Sequence, residues 1–88
     1  MPAHAERAVR DILYKQATCA FELGDVARAG ELIRRAAELR PGSPLYQFNL
    51  GMVAHAQGDR SAARAAWLRA LKLDPHDTEP LSLLRATR

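Results

Sequence analysis

Three histidines, one cysteine and ten carboxylates are the side chains of this 88-residue chain that could do metal, nucleophilic or acid-base chemistry. Their spacing argues against all three. A helical metal site needs ligands at i and i+4, or a Cys/His/carboxylate pattern, and His4, His55 and His76 stand apart from one another with neither. They are expected to be solvated or groove histidines, with no metal bound. Cys19 has no second cysteine for an internal disulfide and falls on the helical stripe Ile12, Gln16, Cys19, Leu23, which predicts a packed thiol rather than a nucleophile. There is no Gly-rich phosphate loop, no Ser/His/Asp arrangement and no conspicuous pair of carboxylates in apolar surroundings. Asp25 and Asp59 each follow a glycine, where a carboxylate serves a turn and a helix cap. The expectation is a protein that is not an enzyme and carries no cofactor.

The elements behind these residues are helical. Hydrophobic residues make up 48% of the chain and aromatics 6%, so the apolar content is mainly Ala and Leu, strong helix formers, with little Val, Ile or Thr to favour sheet. A domain this small buries only about 60–65% of the surface its unfolded chain exposes. The longest uncharged apolar run falls far short of the ~20 residues that span a bilayer, and no positively charged start leads into an apolar core and a cleavage site. With a single cysteine as well, an intracellular, cytoplasmic protein without membrane contact is expected. The formal net charge of +3 is spread over many arginines. That suits an acidic partner weakly and an ordinary solvated surface equally.

Residues 23–25 read LGD and residues 57–59 read QGD, and the echo extends much further. Laid without a gap, 10–43 and 44–77 bring Gly24 onto Gly58, Asp25 onto Asp59, Ala29 onto Ala63, Ala36 onto Ala70, Leu39 onto Leu73 and Pro41 onto Pro75, thirty-four residues apart each time. Each copy reads as a helix, a Gly-Asp turn, a second helix and a Pro stop. Gly supplies the positive φ that ends the first helix, Asp caps the second, and Pro forbids its continuation. The residues after Asp77 restart the register, with Thr78 as N-cap, Pro80 in the first turn, and Leu81 and Leu84 spaced to pack backward. Nothing after Pro2 breaks the first helix before it reaches the first copy. The spacing predicts five helices, 3–23, 26–40, 44–57, 60–73 and 78–86. The chain reads as one domain: an N-terminal helix extension 3–9, repeats 10–43 and 44–77, and a capping helix in 78–88. Met1 and the capping-like end suggest a complete polypeptide.

The residues at these slots resemble the tetratricopeptide repeat family, whose 34-residue pattern runs Trp-like residue, Leu-Gly, aromatic, Ala, aromatic, Ala, Pro. The second copy carries Asn49-Leu50-Gly51, Ala63, Trp67, Ala70 and Leu73-Asp74-Pro75 at the matching positions, with Gln47 and Ala54 as departures. The first is looser. Leu13 stands at the Trp-like slot, Gln16-Ala17 replace Leu-Gly and Ile33 replaces the second aromatic, while Ala29, Ala36 and Pro41 hold. The resemblance implies an all-α fold, an α-solenoid of antiparallel helix-turn-helix repeats wound as a right-handed superhelix, and a function in binding proteins.

The first helix of the second copy is apolar on two sides, with Leu50, Val53 and Ala54 on one and Leu45, Phe48, Met52 and His55 on the other. In tetratricopeptide arrays the first helices of successive repeats line the concave face, and the second stripe falls at slots that face this groove. The matching slots hold Asp11, Tyr14, Thr18 and Phe21 in the first copy and Glu79, Ser82 and Ala86 in the terminal helix; Asn49 joins them. The resemblance thus implies a groove with Tyr14, Phe21, Phe48 and Met52 at its centre and acidic edges. The other reading is that Phe48 and Met52 only pack against the neighbouring helix. Family members that grip a chaperone's carboxylate terminus use basic and Asn residues at slots held here by Tyr14, Thr18, Asn49, Glu79 and Leu83. Only Asn49 fits, and Glu79 would repel a carboxylate.

Three functions compete. The first is a protein-interaction module, an adaptor or chaperone-like subunit, binding an apolar or amphipathic peptide in the groove. The second is a self-associating structural module that completes a short solenoid, with a monomer expected ahead of a homodimer. The third is a binder of nucleic acid or another acidic partner through Arg28, Arg34, Arg35, Arg60, Arg64 and Arg69. Interspersed Glu31 and Glu38 and the lack of exposed aromatics there read instead as a solvated convex face, so nucleic acid is not the expected partner.

Overall fold

Each Gly-Asp pair closes one helix and opens the next within three residues. In the computed structural model, which describes residues 3–88, Gly24 and Gly58 hold φ of 86° and 81°. That left-handed turn lets Asp25 N–H donate to the Ala20 carbonyl at 2.8 Å and Asp59 N–H to the Ala54 carbonyl at 2.9 Å, satisfying carbonyls the helix ends leave free. The carboxylates then turn forward: Asp25 accepts from the Arg28 N–H at 3.2 Å and Asp59 from the Ala62 N–H at 3.0 Å. The five helices that result are α1 (Ala3–Glu22), α2 (Val26–Leu39), α3 (Pro44–Ala56), α4 (Arg60–Leu73) and α5 (Thr78–Ala86), with no strand among the described residues. Pro2, after which the sequence places the first helix, lies outside them.

Leu23, Arg40 and Gln57, expected as last helical residues, are turn or cap residues instead. The N-cap of α5 is Asp77, not Thr78: extended backbone at Asp77 lets its carboxylate accept from the Glu79 N–H at 3.1 Å, and Thr78 becomes the first helical residue.

Helices pack in chain order, α1 on α2, α2 on α3, α3 on α4 and α4 on α5, so the fold is all-α, antiparallel hairpins stacked into a helical repeat. The core has two parts. Leu13, Ala17 and Ala20 of α1 meet Leu32, Ile33, Ala36 and Ala37 of α2, and Tyr46 and Val53 of α3 close over them. The second part gathers Ala63 and Trp67 of α4 with Leu84 of α5 and half-buried Phe48, Met52 and Ala54 of α3. Ala54 therefore sides with Phe48 and Met52, not with Leu50 and Val53. On α5 the fully covered residues are Pro80 and Leu84, while Leu81 is half-buried.

Trp67 is 0% exposed, and Gly51 is what admits it. A Cβ at Gly51 would lie 2.3 Å from the indole Nε1 and 2.4 Å from Cδ1. Gln47, a departure from the repeat pattern, is buried and joins the two repeats: its amide nitrogen donates to the Pro41 carbonyl at 3.4 Å, and its amide oxygen accepts from Arg69 at 2.9 Å.

Cys19 corrects the sequence reading. It is exposed, and so are Ile12, Gln16 and Leu23 of its stripe. The buried stripe of α1 is Leu13, Ala17, Ala20, one position further round the helix. The thirty-four-residue offset gives the reason. Ile12, Gln16 and Cys19 correspond to Tyr46, Leu50 and Val53, which α2 covers, and no helix among the described residues covers α1 in the same way.

Candidate functional site

A cavity of about 240 Å³ opens between α1 and α3 over α2. On α1 the spacing i, i+4, i+7, i+8 puts Tyr14, Thr18, Phe21 and Glu22 on its wall, with Ala17 beneath. Ala29 and Ile33 of α2 form its floor, and Phe48, Asn49, Met52 and Val53 of α3 form the opposite wall. Tyr14, Phe21, Phe48, Asn49 and Met52 are each half-buried, so rings and thioether remain partly open to solvent.

The walls are braced from behind. The Tyr14 ring leans on Tyr46 with centroids 6.0 Å apart and a 39° tilt. The Thr18 hydroxyl donates to the Tyr14 carbonyl at 2.9 Å, which uses its proton within the helix. Phe48 and Met52 pack against the Trp67 cluster and also line the cavity. Packing against the neighbouring helix thus leaves part of each side chain facing the cavity. Glu22 is the one charged residue in the lining, and no Lys, Arg or His is found there among the described residues.

Of the nine groove residues named from sequence on α1 and α3, the cavity brings together Tyr14, Thr18, Phe21, Phe48, Asn49 and Met52. Asp11 and Leu45 sit about one turn before Tyr14 and Phe48, exposed and outside the lining. His55 is elsewhere. Its ring lies 5.7 Å from that of Trp67, and it lines a separate cavity of about 300 Å³ with Gly58, Arg60, Ala86 and Thr87. The three-residue step from Met52 turns about 300°, about 60° short of a full turn, and His55 falls on the side of α3 that faces Trp67 of α4. Glu79 and Ser82 are exposed on α5 and line neither cavity, while Ala86 faces the His55 side. Glu22 and the small floor residues were missed. Glu22 had a signal, since it follows Thr18 by four and Tyr14 by eight, the same helical face.

The α4 arginines are not a free solvated face. Arg64 is half-buried and donates to the Leu84 carbonyl at 2.7 Å and the Thr87 hydroxyl at 3.0 Å. Arg60 donates to the Thr87 carbonyl and to the Arg88 carbonyl at 2.6 Å. Both cations sit on the free carbonyls and negative dipole end of α5, and Arg69 is held by Gln47. Among the described residues, no group of three or more His, Cys, Asp or Glu could hold a metal, and no helix is long and apolar enough to cross a membrane.

A family model described as tetratricopeptide repeat matches residues 3–44 and 14–78. Protein O-mannosyl-transferase TMTC2 of Homo sapiens is similar over 50 residues at 46% identity, 57% of this chain. The chain spans 6% of that relative's length. Repeated Gly-Asp hairpins, a glycine under a buried tryptophan and a family match across nearly the whole chain lead to one conclusion: the chain belongs to the tetratricopeptide repeat family.

Proposed function

We propose that this chain is a protein-interaction module, an adaptor or chaperone-like subunit, that binds an apolar or amphipathic peptide segment between α1 and α3. Membership of a family of protein-interaction repeats supports the general role. The observation that carries the specific one is the half-buried set Tyr14, Phe21, Phe48 and Met52 around an open cavity, since aromatic and thioether side chains left partly wet on a rigid scaffold are what an interface anchor needs. The unit is one domain of two repeats, 10–43 and 44–77, with the residues before them extending α1 and those from 78 closing the stack. The transferase activity named for the human relative belongs to a protein of which this chain spans 6%. The groove offers rings, the hydroxyls of Tyr14 and Thr18, an amide and a single carboxylate, a surface for binding rather than an acid-base pair.

Selection of binders from a displayed random-peptide library tests this. Peptides retained by the wild type and lost on Phe48→Asp, with Arg85→Glu still binding, support the groove; peptides indifferent to Phe48→Asp count against it.

Self-association is a second reading, favoured by the open stripe Val9, Ile12 and Cys19 of α1 with Leu23 just beyond its end. Its register matches the α3 face that α2 covers, and a second copy of α1 would cover it in a symmetric pair. Sedimentation at several concentrations decides: constant monomeric mass removes this reading.

A further inference from the structure

The cavity's charge narrows the ligand further, on the reading of the groove given above. We propose that it receives an alkylammonium group, the side chain of a lysine carried on an apolar peptide, with its stem against Phe48 and Met52 and its ammonium among Tyr14, Phe21 and Glu22.

Charge complementarity points to this occupant. The chain carries 13 Lys and Arg against 10 Asp and Glu, yet the one ionic group lining the cavity is a carboxylate. Glu22 is the last residue of α1, whose last turn holds no basic residue, so the negative end of the helix dipole adds to the carboxylate's field. The tyrosine and two phenylalanine rings each carry a negative face that attracts an ammonium. An anion here would meet Glu22 and the ring faces without a counter-charge, and a purely apolar side chain would leave the carboxylate's field unused. At about 240 Å³ the space lies below the ~300–1,000 Å³ of drug-sized sites, which suits one long side chain.

Three probes of equal length separate the possibilities: hexylammonium, 1-hexanol and hexanoate, titrated into the full chain and followed by NMR at Tyr14, Phe21, Phe48 and Met52. Hexylammonium is expected to bind about five-fold more tightly than hexanol, with hexanoate weakest. Glu22→Gln, a change at an exposed helix end, should reduce the preference for hexylammonium over hexanol to about two-fold, the part due to the rings. If hexanol or hexanoate binds as tightly as hexylammonium, or if Glu22→Gln keeps the full preference, the cation assignment is overturned while the groove reading stands. If none of the three shifts those four residues, both are overturned.

Discussion

Replacing Gly51 by Ala should unfold this protein at a lower temperature although Ala is the better helix former. In an open helix the exchange would gain roughly 0.5–1 kcal/mol. Here the new methyl would lie 2.3 Å from Nε1, 2.4 Å from Cδ1 and 2.9 Å from Cε2 of Trp67, where ordinary contact needs about 3.5 Å. The indole is 0% exposed and walled by Ala63, Leu84, Phe48 and Met52, so either helix α3 or the whole ring must move by about 1 Å. Such overpacking costs about 1–3 kcal/mol, sometimes more; with two backbone-anchored elements in conflict, the upper end applies. A net loss of about 2 kcal/mol remains after the helix gain, or a fall in Tm of about 8–16 °C for a domain this size. Gly30→Ala is the contrast. Its Cβ would be crowded by the Val53 Cγ1 alone, at 2.9 Å, with Arg34 and Gln57 at ordinary contact distance; the Val53 methyl is the end of a side chain that can give way, so the net effect should be within about 1 kcal/mol of zero. Thermal unfolding followed by circular dichroism and by Trp67 fluorescence measures both. A Gly51→Ala protein as stable as wild type, or more so, would refute the packing argument.

Other outcomes follow from the same contacts. Trp67→Ala should cost about 3–5 kcal/mol and leave little folded protein, read by denaturant titration. Gln47→Ala should lose about 1 kcal/mol, because it removes the bonds to the Pro41 carbonyl and the Arg69 guanidinium together. Arg64→Ala should loosen α5 selectively, seen as faster amide exchange at Leu84 to Thr87 with α1 and α2 unchanged. The Cys19 thiol should react with a disulfide reagent in the native protein as fast as in the unfolded one; slow reaction in concentrated samples that Ile12→Glu restores would show the α1 stripe covered by a second copy.

The helices were legible because every boundary has a local cause. Gly24 and Gly58 need a positive φ, Asp25 and Asp59 cap, and proline follows α2 and α4, so local sequence and tertiary fold agree. Sides of helices were harder to read. Ile12, Cys19 and Leu23 look like a core stripe by spacing, and are exposed because burial depends on which neighbour is present, something the period of a helix does not encode. His55 was placed in the groove by a three-residue step from Met52, which stops about 60° short of a full turn, and it lies on the Trp67 side instead. Arg64 reads as an ordinary surface charge until α5 presents its free carbonyls twenty residues later. Six of the nine groove positions on α1 and α3 meet at one cavity because Tyr14, Thr18 and Phe21, and separately Phe48 and Met52, keep helical spacing.

The most direct test of the groove is to map, residue by residue, where a display-selected peptide binds the isotope-labelled chain. The account predicts saturable chemical-shift changes at Tyr14, Thr18, Phe21, Phe48, Asn49 and Met52, with Phe48→Ala weakening the affinity by about 2 kcal/mol, roughly thirty-fold. Shifts gathered on Val9, Ile12 and Cys19, or on the exposed arginines Arg28, Arg34 and Arg35, with the groove silent, would contradict it.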